Sequence, residues 1–412
     1  MQWLKEIPSH WEERKMKYCF SERSEKNHPY EPILCATQSQ GVIPQSMYAN
    51  RVVIVNKGFE GLKFVREGDF VISLRSFEGG IEYAYYQGII SAAYTILTPN
   101  NPLFSNYWKL LFKSQSYIQL LQTCVTGIRE GQNINYPLLS RSFIPLPPFA
   151  EQEKIVSYLE GKTSKIDGYV AEKEKEIQLL QELKQKTIAD AVTKGLNPDA
   201  KMKDSGISWI GVIPEHWEVR HLSQVSYEHY ISNKGVHHQN LLSLSYGRII
   251  RKDINTTEGL LPASFDTYQI VEEGNIVMRL TDLQNDHKSL RVGLVKEEGI
   301  VTSAYVCLGV FDSMIPSFLY NVLHSYDIKK LFYSMGGGLR QNLNWQGLKK
   351  LDIPLPPSDE QQAIVAYIEE KCEKIDKLTS ELQSEIYYLK EYKQRLIADV
   401  VTGQVNVQNE TI

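Results

Sequence analysis

The sequence predicts an α+β protein made twice over. Two mixed α/β domains are separated by a pair of long antiparallel coiled-coil helices and related by an internal pseudo-twofold repeat. Three observations predict it. IPLPPFAEQEKIVSYLE at 144–160 returns as IPLPPSDEQQAIVAYIE at 353–369, 209 residues on. IPSHWEERK at 7–15 returns as IPEHWEVRH at 213–221. Each IPLPP copy also opens a long Lys/Glu-rich segment with isoleucines at every eleventh position. Self-similarity at a nearly fixed offset marks a duplicated structural unit.

A chain of 412 residues is too long for one ordinary domain and comfortable for two with connectors. Its 42% hydrophobic and 23% charged content is that of a globular protein. No apolar run approaches the roughly 18 residues of a membrane span, and the first residues carry no signal-peptide core, so a cytoplasmic chain with no membrane partner is expected. Cys19, Cys35, Cys124, Cys307 and Cys372 are scattered and odd in number, which suits a reduced chain. A net charge of −4 argues against gripping nucleic acid by bulk charge, though local basic surfaces remain compatible with it.

In chain order, a first domain is expected over 1–149, a helix over 150–195, a linker over 196–212, a second domain over 213–358, a second helix over 359–403 and a tail over 404–412. The IPxHWE segment reads as a docking piece whose Trp packs on its domain, with a site role for His10 and His216 as the lesser alternative. VVIVNKG, GDFVISL and SAAYTILTP read as strands, followed by a helical stretch over 104–123 carrying Tyr107, Leu110, Leu111, Ile118 and Leu121. The second half has counterparts: GNIV at 274–277 for GDFV at 68–71, and QNLN at 341–344 for QNIN at 132–135. The linker, with its Gly and Pro, reads as an exposed connector.

The double Pro fixes an extended lead into each helix. Glu151 and Glu153, or Asp359 and Glu360, favour the positive end of the helix dipole, and Gly195 and Gly403 stop the helices. Ile155, Ile166, Ile177 and Ile188, and then Ile364, Ile375, Ile386 and Ile397, step by eleven. With Leu159, Val170, Leu180, Ile368, Leu378 and Leu389 they predict one narrow seam at 3.67 residues per turn, nearly straight or slightly right-handed. So long a helix needs a partner, and the other copy is the obvious one. The expectation is an antiparallel rod with a domain at each end.

Catalytic signatures are missing from the sequence: no P-loop, no GxGxxG after a strand, no HExxH or GxSxG, and no metal-spaced Cys/His cluster. His237 and His238 lack further ligands at metal spacing, and GGG at 336–338 reads as a flexible or backbone-approach loop. LPPF at 146–149 comes close to the [DNS]PP[YF] motif of amino-methyltransferases, but Leu146 cannot hold an amine, so it reads as a rigid helix lead.

Two dissimilar domains, each closing on Pro-Leu-Pro-Pro, Glu-Gln and a long helix, resemble the specificity subunits of type I restriction–modification systems. The resemblance spans essentially the whole chain and is carried by IPEHWE, KMKDSGISWIG, both IPLPPxxEQ segments, TIADAVTKG and LIADVVTG. One departure is that no KDSG precedes the first IPxHWE, which implies a shorter docking tail. The resemblance implies a non-catalytic DNA specificity subunit that binds a bipartite, asymmetric double-stranded site, one half-site per target-recognition domain. It implies two modification (methyltransferase) subunits docked on the helices, and restriction (translocase/nuclease) subunits joining them. S-adenosylmethionine, ATP and Mg are then expected on partner subunits, with no cofactor or metal on this chain.

Under that reading, base-edge readers are sought where Arg and amide side chains sit in loops. In the first domain these are Arg75 and Ser76, then Arg129, Gln132, Asn133 and Asn135; in the second they are Arg279, Thr281 and Asp282, then Arg340, Gln341, Asn342 and Asn344. QNIN and QNLN recur in domains that should read different bases, so a fold or phosphate role stands beside the base-reading one. Surface ion pairing stands beside it for Arg75 and Arg279. The alternative function is a coiled-coil adaptor that joins two proteins without touching DNA; a self-contained methyltransferase or nuclease lacks its motifs.

Overall fold

The structure, a computed structural model, describes residues 3, 4, 6–49, 58–126, 133–236, 238–254, 264–284, 290–335 and 342–409. The chain forms two compact units, one of residues 1–174 with 383–412 and the other of residues 175–382. Each unit therefore takes part of both long helices. VVIVNKG and GGG fall largely or wholly outside the described residues.

The first unit carries a four-stranded antiparallel sheet in the order Phe20–Arg23, Thr95–Pro99, Phe70–Ile72, Glu82–Tyr83. Phe20, Phe70, Trp108, Phe112 and Tyr117 form an aromatic core behind it, with ring centroids 4.7–5.9 Å apart. Edge-on and offset pairs of this kind add to the burial term. The helix expected over 104–123 is broken into Ser105–Leu111 and Gln115–Thr123. Ser114 causes the break: its hydroxyl accepts from Tyr117 N and starts a new helix as its N-cap.

The second unit repeats the scheme. Its sheet runs Ser226–Glu228, Val306–Val310, Ile276–Met278, Val292–Leu294, and helix Pro316–Ile328 buries Phe318, Leu319, Val322, Leu323 and Tyr326 against the core. The 196–212 connector is less exposed than its composition suggests. Met202–Asp204 pairs with Val212–Pro214, and Ile207, Trp209 and Ile210 pack on the core, because three apolar residues follow the Gly206 turn.

The motifs that mark the duplication are joints. Glu12–Lys15 pairs with Phe143–Leu146, and Glu218–His221 pairs with Asp352–Leu355 in the same register. Trp11 and Trp217 are buried, as a docking role requires. His10 Nε2 lies 2.8 Å from Glu151, and His216 Nε2 lies 2.6 Å from Glu360, so both histidines bond the first turn of the helix their unit launches. Gly403 packs against Pro8 and Trp11, and Gly195 packs against Trp217. Trp217 thus meets the start of one long helix, its indole N–H donating to Glu360 at 2.9 Å, and the end of the other, while Trp11 meets the end of the second helix. Gln361, 1% exposed, explains the Glu-Gln of the motif. Its amide donates to the Pro356 and Ser313 carbonyls at 3.0 Å and accepts from Ile315 N at 2.8 Å. Gln152 does likewise with the Pro147 carbonyl at 2.7 Å.

The long helices run Phe149–Lys194 and Ser358–Val401. They are antiparallel within each unit: Asp167 bonds Lys393 and Glu174 bonds Lys390 in the first, and Lys184 bonds Asp376 in the second. The seam differs from the eleven-residue expectation. Between 162 and 187 the positions not exposed are 163, 166, 170, 173, 177, 180, 184 and 187; between 371 and 396 they are the same set shifted by 209. Steps of three and four closing on seven give 3.5 residues per turn, the period of a left-handed coiled coil. Ile166, Ile177, Ile375 and Ile386 lie on this seam, whereas Ile155, Ile188 and Ile364 are buried beyond its ends and Ile397 sits half-buried beside it. The step of eleven arises because an isoleucine on one line is followed by one on the other, seven plus four positions away. Leu378, expected in the seam, is 39% exposed; Leu382 takes the inward position.

Candidate nucleic-acid interface

The central strands Phe70–Ile72 and Ile276–Met278 each run out into one of the segments singled out as readers. In the first unit Arg75 is exposed and precedes a short helix, Ser76–Gly79. Ser76 is not available to a base. It is 2% exposed and its hydroxyl accepts from Ser73 N at 2.9 Å, because it closes the turn from strand to helix. Lys113 approaches from behind and donates to the Gly79 carbonyl at 2.9 Å, to Gln38 O at 3.2 Å and to the carboxylate of buried Glu82. Burial pushes the Glu82 carboxyl up to about 7, the Lys113 charge opposing the shift.

In the second unit Arg279, Thr281 and Asp282 are half-buried between Leu280 and Leu283, both of which are in the core. Asp282 takes a left-handed φ of 56°. Asn342 is no free reader: its Oδ1 accepts from Asp282 N at 2.9 Å. Asn135 accepts from Leu138 N at 3.0 Å and Asn344 from Gly347 N at 3.2 Å, each as the N-cap of a short helix. Capping gives the recurring QNxN motif a fold role in both domains. Asn133 pairs in a two-residue ladder with Thr126 and is exposed. Arg129, Gln132, Arg340, Gln341 and His237 lie outside the described residues. His238 lies 3.4 Å from Glu298.

Three features escaped the sequence reading. Arg291, fully buried, lies behind the Arg279–Asp282 segment; an arginine opening the apolar strand RVGLV was its signal. The hairpin of Leu242–Ser245 and Arg248–Arg251 holds Tyr246 77% exposed at its tip with φ of 46°, an uncommon conformation for a bulky residue. The long helices also carry large apolar residues facing solvent at equivalent positions. Tyr169, Tyr388 and Tyr392 do so in the first unit, and Leu378, Leu179 and Leu183 in the second, each 39–66% exposed. Among the described residues no three His, Cys, Asp or Glu gather as a metal site, and no helix is long and apolar enough to cross a membrane.

Residues 291–388 match a family model for the type I restriction modification DNA specificity domain. Over 334 residues the chain is 27% identical to the putative type I restriction enzyme MjaX specificity subunit of Methanocaldococcus jannaschii, covering 76% of this chain and 71% of that one. Residues 291–388 thus carry the type I DNA specificity domain, and the chain is similar to type I specificity subunits beyond that domain. The EcoBI specificity subunit of Escherichia coli is 24% identical over 296 residues, 66% of this chain and 60% of that protein, which is less than two thirds of its length. Two solved structures share the fold of this chain at 15% identity. One is from work on complex assembly and conformational transition of the type I R-M system, with a TM-score of 0.70 and coverage of 98% of this chain and 100% of that one. The other is the HsdS subunit from Thermoanaerobacter tengcongensis, with a TM-score of 0.51 and coverage of 97% and 99%.

Proposed function

We propose that this chain, as a type I specificity subunit, reads a bipartite, asymmetric double-stranded DNA site, one half-site per recognition domain. One observation carries the reading: the same scaffold occurs twice, yet the segments leaving its central strands differ, Arg75-Ser76-Phe77 in one unit and Arg279-Leu280-Thr281-Asp282 in the other. Two different readers on one scaffold suit two unlike half-sites. Arg can bond guanine bidentately, Asp can accept from cytosine, and Thr serves either edge. Partner subunits supply phosphate contacts that a chain of net charge −4 provides sparingly.

The chain recognises and scaffolds, and catalysis belongs to its partners. Two modification subunits dock on the long helices, for which the apolar residues duplicated at equivalent exposed positions are suitable footholds. Restriction subunits join them. S-adenosylmethionine is held by the modification subunits, and ATP and Mg serve the restriction subunits. The length of the helix pair sets the gap between half-sites. The test is to co-express the chain with its modification subunits and sequence the methylated genome. Two half-sites with a fixed gap are expected; random or absent methylation overturns the proposal and favours a DNA-free adaptor.

A further inference from the structure

Resting on the reading above, we propose that Arg291 is a positioning residue for base recognition. It holds Arg279, Thr281 and Asp282 in the geometry that reads one half-site. It is fully buried, and its guanidinium is turned on the backbone behind this segment. Nη1 donates to the carbonyls of Arg279 at 3.0 Å and Thr281 at 2.9 Å, and Nη2 donates to that of Asp282 at 3.4 Å. The carbonyl of Leu280 accepts from Leu343 N at 2.9 Å. All four consecutive carbonyls from 279 to 282 are therefore taken from within the protein. Asn342 takes the Asp282 N–H, and the Leu280 and Leu283 side chains are in the core. Nε of Arg291 donates to Tyr333 Oη at 3.1 Å, which fixes the fork itself.

A surface segment has no need of this. Its carbonyls are satisfied by water at no cost, whereas burying a guanidinium carries a large desolvation penalty. What the arrangement provides is rigidity. The planar fork spans several acceptors at once, which an ammonium cannot do. Discrimination between bases needs reading groups held to within about half an ångström by supporting residues. The first unit meets the same need with other chemistry, Lys113 reaching the Gly79 and Gln38 carbonyls.

The test uses the full chain with its modification subunits and compares methylated sites genome-wide for wild type, Arg291→Lys and Asn342→Ala. Asn342 is exposed, so its loss leaves the core intact and keeps the test decisive if the arginine variant fails to fold. The expected result is degeneracy at one half-site, with discrimination at one or more of its positions falling about tenfold, while the other half-site keeps its consensus. A uniform loss of methylation at an unchanged consensus in both variants overturns the inference and leaves Arg291 a purely structural residue. If wild type itself yields no bipartite consensus, the DNA-reading proposal fails, and the two failures are told apart by the wild-type arm.

Discussion

Lys184 Nζ sits 2.6 and 2.7 Å from the two carboxylate oxygens of Asp376, and the same pair recurs 209 residues on as Lys393 and Asp167, at 2.7 Å to both oxygens. Both lysines occupy inward seam positions, where a polar residue fixes register at some cost in stability. The pairs are partly exposed, so a double-mutant cycle on Lys184 and Asp376 is expected to give a coupling of about 0.5–1 kcal/mol that shrinks with added salt. Lys184→Leu with Lys393→Leu is expected to raise the melting temperature while loosening the register, read as cross-linking between cysteines placed one seam step out of alignment.

Gln361 makes three hydrogen bonds in a buried setting at the start of its helix. Gln361→Leu strands Ile315 N without a partner and is expected to cost about 2–3 kcal/mol. In a unit of this size that lowers the melting temperature by several degrees, at about 2–4 °C per kcal/mol. Calorimetry checks it, and an unchanged transition counts against the clamp.

Burial, with Lys184 second, depresses the pKa of His324 to about 4, and its Nδ1 has no hydrogen-bond partner among the described residues. Below the ordinary value near 6.5 the unfolded chain takes up a proton that the folded chain refuses. Stability from this group is therefore complete above about pH 6.5 and is lost as pH falls toward 4, on the order of 1.4 kcal/mol per unit at most. Urea unfolding at pH 7.5 and pH 5 is expected to show a smaller difference for His324→Leu than for wild type.

The seven-residue seam makes a length prediction. Seven residues inserted into both helices, after Glu176 and after Glu385, preserve the inward positions; eleven residues rotate them off the seam and are expected to be the less stable change. The seven-residue insertion adds about 10 Å. If the helix pair spaces the half-sites, the methylated gap then grows by about three base pairs.

Much of this was legible in the sequence. The duplication, the IPxHWE docking, the Pro-rigid helix starts and the Gly stops depend on local chemistry, and local chemistry is written in neighbouring residues. The period of the seam was misread because apolar letters alone were followed, the isoleucines first. Thr163, Lys173, Lys184 and Thr187 hold inward positions through their aliphatic parts, and a pattern of apolar letters skips them. Ser76, Asn135 and Asn344 looked like free polar groups because a turn or cap claims a side chain only once the backbone has bent. Arg291 was missed for a related reason: most of its partners are main-chain carbonyls, which have no letter, and only its place at the head of RVGLV marked it.

The first unit is built from residues 1–174 and 383–412, so its parts are far apart in the chain: Tyr107 Oη donates to the Val401 carbonyl at 2.8 Å, and Gly403 closes on Trp11. The second unit is one unbroken stretch, 175–382. On the ribosome the first-made unit cannot form the contacts of Tyr107 and Trp11 with residues 401–403 until the end of the second helix emerges, while the later-made unit has all its residues by 382. Order of synthesis and order of completion are reversed, and the long-separation contacts that finish the job are the slow ones.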